Sequence, residues 1–237
     1  MSRTFSMITL ASMALVLSCS ASLVRADAPV LSDEEKKEGF EILFNGVDLT
    51  GFQEVQGLPG AFWVEDGVLN GRREGGKAYW LATKKKFADF EVRLQYMLMA
   101  KGNSGIFIRV PHFRPRTSNV GMEVQLLEDH GKEGTPTNGE TGAIYRVEGA
   151  TKYNSRPIGE WNDLSIKCEG DRIQISLNGE LIHDFDMSKH EQTKNRPREG
   201  YIGLSAHTDV VKFKNVRIHV LKPASEQPKP AAPAKSS

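Results

Sequence analysis

The chain has 237 residues, 39% of them hydrophobic and 26% charged, enough for one ordinary globular domain with a core of its own. Thirty-one lysines and arginines against thirty aspartates and glutamates leave a formal net charge of +1, which removes any global electrostatic case for nucleic acid or an anionic membrane surface as a partner.

The N-terminus reads as an export signal. Arg3 gives a short basic start, MITLASMALVLS an apolar stretch, and Val24-Arg25-Ala26 the small-residue pattern of a cleavage site before Asp27. Cleavage after Ala26 predicts a periplasmic or secreted product. The alternative is a lipoprotein anchored through Cys19 in VLSC. No second apolar span follows, so no transmembrane segment is expected once the signal is removed. Loss of residues 1–26 would leave Cys168 alone, without a disulfide partner. Cys168 alternates with Leu164 and Ile166, which predicts a buried, inert thiol. Residues 27–37 form a charged lead-in in which LSDEEKKEG is expected to make a helical turn, the main domain spans 38–221, and the Pro/Ala/Lys-rich 222–237 is a tail without apolar period.

Within the domain, strand follows strand. EVRLQYMLM, SGIFIRV, GMEVQLL, GAIYRV, WNDLSIKCEG, DRIQISLNGELIHDF, YIGLSAH and VKFKNVRIHVL alternate or run apolar, separated by Gly, Asn, Asp or Pro. Asn178-Gly179 and Asp66-Gly67, each between apolar runs, mark type I′ hairpins, because both central residues must take positive φ. The run Lys84-Lys85-Lys86 reads as a solvated turn. With no long helical period, the pattern predicts an all-β, antiparallel jelly-roll sandwich with a concave binding face. EILF and VRIHVL are expected to pair and bring the domain ends together.

The non-core faces point to a site. In GMEVQLL, Met122, Val124 and Leu126 face inward, leaving Glu123 and Gln125 outward before Asp129 and His130. In SGIFIRV the core face is Ile106, Ile108 and Val110, which sends Phe107 and Arg109 the other way. In YIGLSAH, Gly203 and Ser205 give a low floor beside His207, and in GAIYRV Tyr145 offers an aromatic platform. Small residues, rings and planar polar groups on one face fit a carbohydrate cleft; the bland alternative is a half-solvated sheet. Glu123, His130 and His207 are the candidates for proton transfer, with Arg109 as the positive group. Asn103, Phe107, Gln125 and Tyr145 are the candidates for substrate contact. Asp129 and His130 could hold a divalent metal ion, although no tight ligand spacing enforces it. His183 and His219 are expected on edge-like strands facing solvent, His112 and His190 in polar loops, and Trp63 and Trp161 packed at the core or rim.

Eight pieces in register carry a family resemblance: FEILFNGVDLTGFQ, FWVEDGVLNG, FADFEVRLQYML, GNSGIFIRV, GMEVQLLEDH, TGAIYRV, PIGEWNDLSIKCEGDRIQISLNGELI and GYIGLSAH with VKFKNVRI. In order and spacing, residues 38–221 resemble the 3-keto-disaccharide hydrolase family. The resemblance implies a concanavalin-like jelly roll and, for characterised relatives, cleavage of glycosides whose sugar is a ketone at C3. SAHT departs from relatives that carry an acidic residue before the histidine. Two other readings stay open. One is a lectin-like carbohydrate-binding module, which needs no base. The other is a retaining glycosidase, which needs two carboxyls about 5–5.5 Å apart and finds Glu123 paired in sequence with Gln125.

Overall fold

The computed structural model describes residues 29–55, 59–73, 79–113, 117–207 and 210–223. The expected signal segment and nearly all of the tail lie outside these residues. A short helix α1 (Asp33–Glu38) precedes thirteen strands among the described residues: β1 (Phe40–Ile42), β2 (Phe52–Val55), β3 (Phe62–Glu65), β4 (Val68–Gly71), β5 (Tyr79–Thr83), β6 (Phe87–Leu98), β7 (Asn103–Val110), β8 (Met122–Leu127), β9 (Asn162–Glu169), β10 (Arg172–Leu177), β11 (Glu180–Asp186), β12 (Tyr201–Ala206) and β13 (Val211–Pro223).

Alternation builds two layers. β6 is the clearest case: Phe90, Val92, Leu94, Tyr96 and Leu98 are buried, while Asp89, Glu91, Arg93, Gln95 and Met97 are half-buried. The larger sheet runs β11-β10-β9-β6-β13-β4-β3 with β1 also on β13, and the smaller runs β2-β5-β12-β7-β8, every pair antiparallel. Between them Ile106, Ile108, Met122, Val124, Ile202 and Leu204 meet Leu94, Leu164, Ile166, Ile175 and Phe213 in one core. Each such large side chain contributes roughly 1.5–3 kcal/mol on burial. The fold is the expected antiparallel jelly-roll sandwich.

Local predictions translate directly. Asp66 and Gly67 (φ 49° and 73°) and Asn178 and Gly179 (φ 50° and 84°) close the β3-β4 and β10-β11 hairpins. β1 pairs with β13 through Phe40 and His219, joining the domain ends. The lead-in turn is α1, capped by a Ser32/Glu35 capping box and stopped at Gly39 (φ 89°). Glu35 then pairs with Arg217 and with Arg93 at 3.7 Å, which fastens α1 to the larger sheet. Cys168 is buried, and burial pushes its thiol up to about 12.

Two β-bulges overturn expectations. On β7, Phe107 pairs with Gly203 and Val110 with Tyr201, so two residues oppose Ile202 alone. The residue that absorbs the extra length is Arg109, with φ 52°. Past the bulge the alternation inverts: Val110 joins Phe107 on the outer side and Arg109 turns inward, 0% exposed. Its guanidinium donates to Ala88 O at 2.9 Å, Gly170 O at 2.7 Å and Asp89 Oδ1 at 2.9 Å. Gly200 lies against the bulge, where a Cβ would fall 2.4 Å from the Arg109 carbonyl carbon. On β11, Ile175 pairs with His183 but Ser176 with Leu181, which buries Ile182 and His183 in succession. His183 is therefore interior, not solvent-facing. His219 is half-buried against Phe40 on an interior strand, not an edge. GAIYRV is not a regular strand either: Ile144 makes isolated bridges to Val124 and Glu148 within a chain of turns.

Candidate functional site

The outer face of the smaller sheet assembles most of the expected residues. Its register places Gln53, Ala82, Gly203, Phe107 and Glu123 in one row across the strands. The neighbouring row holds Val55, Trp80 and Ser205, then Gly105 and Gln125, with Ser205 Oγ donating to Gly105 O at 3.2 Å. The centre of both rows is small, so the larger end groups can fold across it.

Two glycines are occupied by such groups. A Cβ on Gly105 would lie 2.5 Å from Glu123 Oε1 and 2.9 Å from its Cγ, so the carboxylate rests across Gly105. A Cβ on Gly203 would lie 2.7 Å from the Phe113 ring. The space expected for a ligand over Gly203 is thus filled by a ring from the loop after β7. Phe113 packs with Trp80, Phe107 and Tyr201 into a second apolar cluster, which buries Phe107 instead of exposing it. Phe107 is a support for the site, not a platform.

At the other end the face is polar and incompletely paired. Glu123 is 5% exposed, and His207 Nε2 stands 3.6 Å from its Oε1, beyond hydrogen-bond reach. That nitrogen and Trp80 Nε1 are two of the three buried side-chain polar atoms without a hydrogen-bond partner among the described residues. The Trp80 and His207 rings meet edge-on with centroids 6.4 Å apart, so the two residues with orphaned nitrogens are neighbours, and that of His207 lies beside the carboxylate. Buried polar groups are ordinarily satisfied, and two orphans together are what a polar ligand would complete. Gln125 Nε2 donates to Asn103 Oδ1 at 3.0 Å, which gives the face a neutral amide pair. Arg73 brings a guanidinium to the rim, its Nη1 donating to His207 O at 2.9 Å.

The remaining expected residues fall elsewhere. Arg109 is spent between the sheets and cannot serve this face. Asp129 is buried, accepting from Thr141 N and Ser155 Oγ at 2.8 Å each. His130 is exposed, with Nδ1 2.6 Å from Ser155 O. Both border a small hollow with Tyr96, Ser155 and Pro157. Among the described residues no group of three or more His, Cys, Asp or Glu side chains could hold a metal ion. Tyr145 reaches the site through its backbone, N donating to Glu123 O at 2.9 Å, while Arg146 lies over its ring. Trp63 and Trp161 are rim residues beneath Arg72 and Lys214.

Trp80, Phe113 and Arg73 escaped the sequence reading. For Trp80 a signal existed, since AYWLAT sets Tyr79 and Leu81 inward and Trp80 and Ala82 outward. Phe113 and Arg73 sit in connections where no period speaks.

Comparison with known proteins bears on the family and the fold. A curated 3-keto-disaccharide hydrolase of Bacteroides thetaiotaomicron is 24% identical over 252 aligned residues, covering 87% of each chain. A candidate glycosyl hydrolase of Parabacteroides distasonis, known from its crystal structure, matches with a TM-score of 0.72 at 28% identity, covering 83% of this chain and 100% of that one. The β-glucanase of Bacillus licheniformis shares the fold alone, with a TM-score of 0.52 at 11% identity over 77% of this chain and 97% of its own. Residues 39–219 match the family described as the 3-keto-alpha-glucoside-1,2-lyase-like domain, and the chain belongs to that family.

Proposed function

We propose that this protein cleaves glycosides whose sugar carries a ketone at C3, with Glu123 and His207 as its proton-transfer pair. The observation that supports it is the buried Glu123 carboxylate beside an imidazole nitrogen without a hydrogen-bond partner. A C3 ketone acidifies the C2 proton. Glu123 takes that proton, and the C–H electron pair moves into the enolate of C2 and C3. The C1–O bond then breaks, its electron pair leaving on the glycosidic oxygen, which takes a proton from His207 and departs as the aglycone alcohol. Water adds across the resulting C1=C2 bond, hydroxyl to C1 and proton to C2, so the sum of both steps is hydrolysis.

In this reading the Trp80 N–H and the Gln125–Asn103 amides orient sugar oxygens, and Arg73 places positive charge at the rim where the enolate develops. Asp129 and His130, engaged with Thr141 and Ser155, receive no step. A paired-carboxylate mechanism is disfavoured because the group facing Glu123 is an imidazole. Export, carried by residues 1–26, belongs to the same proposal; intact mass of the native product would show a start at Asp27, and a lipidated Cys19 would overturn it.

The test is to incubate purified protein with a matched glucoside and 3-keto-glucoside and follow aglycone release. Release from the keto substrate alone is expected. Binding without release would indicate the lectin-like module. Loss of activity with a chelator would assign the enolate charge to a divalent ion rather than to Arg73.

A further inference from the structure

The segment 141–151 crosses between the open edges of the two sheets. Along β8, Gly142 N donates to Gln125 O at 2.9 Å, Gln125 N to Ala143 O at 3.0 Å and Tyr145 N to Glu123 O at 2.9 Å. Along β11, Thr151 donates both N and Oγ1 to Ile182 O at 2.8 Å, using the carbonyl that the bulge exposes. His183 sits between these attachments at 2% exposure. Its Nδ1 is 2.9 Å from Gly142 O and its Nε2 3.1 Å from Glu148 Oε1. His190 meets the other Glu148 oxygen at 3.1 Å and stacks on Phe185 with ring centroids 4.5 Å apart.

With Glu148 ionised, hydrogen-bond counting sets the charge of His183. A carbonyl oxygen and an ionised carboxylate only accept. A neutral imidazole has one N–H, so either tautomer of His183 would aim a lone pair at an acceptor. The imidazolium alone donates to both Gly142 and Glu148. His190 has a single acceptor and is satisfied with one N–H. The other charged groups on the elements packed here already have partners: Asp184 with Arg172 at 2.7 Å, Asp186 with Lys189 at 3.1 Å, and Lys152 with Glu180. Arg172 holds the Asp184 carboxyl below its usual range.

We propose that protonated His183, clamped between Gly142 O and Glu148, fastens the 141–151 segment and through it positions the strand that carries Glu123 and Gln125. The fastener stands on its own geometry; its effect on turnover rests on the reading of Glu123 as the base. Removing the proton from His183 takes away one of its two donors and loosens the segment, so the site is better ordered while His183 is an imidazolium.

The test is amide hydrogen exchange at Gly142, Gln125 and Tyr145, corrected for the intrinsic pH dependence of exchange. In the unaltered chain, with imidazole nitrogen shifts followed across a pH series to report the charge of His183, protection should fall on the order of tenfold as His183 loses its proton, reporting local opening. Glu148→Gln should remove that fall, because an amide N–H can donate to the lone pair of neutral His183. Protection that stays constant as His183 loses its proton would overturn the proposal, as would imidazole nitrogen shifts showing His183 neutral wherever Glu148 is ionised. If exchange follows pH as expected while Glu123→Gln keeps full turnover, the fastener stands and the catalytic reading falls.

Discussion

The outer faces of the two sheets are built from the same alternation and differ in what meets their charges. On the larger sheet many charges have partners close by: Arg93 with Glu91 at 2.6 Å and Glu38 at 3.4 Å, Lys167 with Glu169 at 3.1 Å, Asp163 with Gln95 at 2.8 Å, and Arg172 with Asp184. Such a face is solvated and balanced, each pair adding about 0–1 kcal/mol. The smaller sheet instead sinks one carboxylate among glycines, rings and neutral amides, with an unpartnered imidazole nitrogen as its ionisable neighbour. Stability does not call for that arrangement. Unsatisfied groups held rigidly in a low-dielectric setting are instead what acid–base chemistry requires.

The sharpest way to break this contrast is to neutralise one carboxylate on each face. Glu123→Gln should lower turnover of a 3-keto-glucoside by roughly 10²- to 10⁴-fold with little change in melting temperature, the range for losing a general acid or base. Glu91→Gln should leave turnover unchanged; steady-state kinetics and melting curves on both variants decide it. Arg109→Met moves the question inside the sandwich. It takes the guanidinium donor from the half-buried Asp89 carboxylate and from the Ala88 and Gly170 carbonyls, so urea unfolding should show a loss of about 1–3 kcal/mol, while the folded fraction keeps its turnover.

Gly105→Ala tests geometry instead of charge. The new methyl displaces the Glu123 carboxylate from its resting place, and turnover should fall on the order of 10- to 100-fold with the fold intact. A smaller effect concerns the loop beyond β8. Glu140 accepts from Lys132 Nζ and Thr137 N at 2.6 Å each and from Tyr153 Oη at 2.8 Å, and chiefly the Lys132 bond lowers its carboxyl from 4.5 to about 2. Its contribution is present above about pH 4.5, where the unfolded carboxyl is ionised, and is lost as pH falls through about 2. Acid unfolding of Glu140→Gln should therefore show a shallower decline across that window than the unaltered chain.

How much of this was legible in the sequence depends on where the period-two rule holds. The hairpins, the core faces, and the outward placement of Glu123, Gln125, Ser205 and His207 follow from alternation and turn chemistry. The misplaced Arg109 and His183 both lie at bulges, where one extra residue inverts every later side chain without leaving a compositional mark. A positive φ at arginine is not announced by its neighbours, as it is at Asn178-Gly179. The apolar Tyr145 segment looked like a strand because it caps the edge of one with turns and isolated bridges. Phe113 and Arg73 reach the site from connections, and only three-dimensional packing places them.

The most direct test of the central claim is to follow the C2 hydrogen of a 3-keto-glucoside. With deuterium at C2, the unaltered protein should release aglycone more slowly than with protium, and reaction in D2O should give product labelled at C2 beyond a protein-free blank. Release with neither an isotope effect nor C2 labelling would contradict the account, because the bond at C1 would then break without removal of the C2 proton.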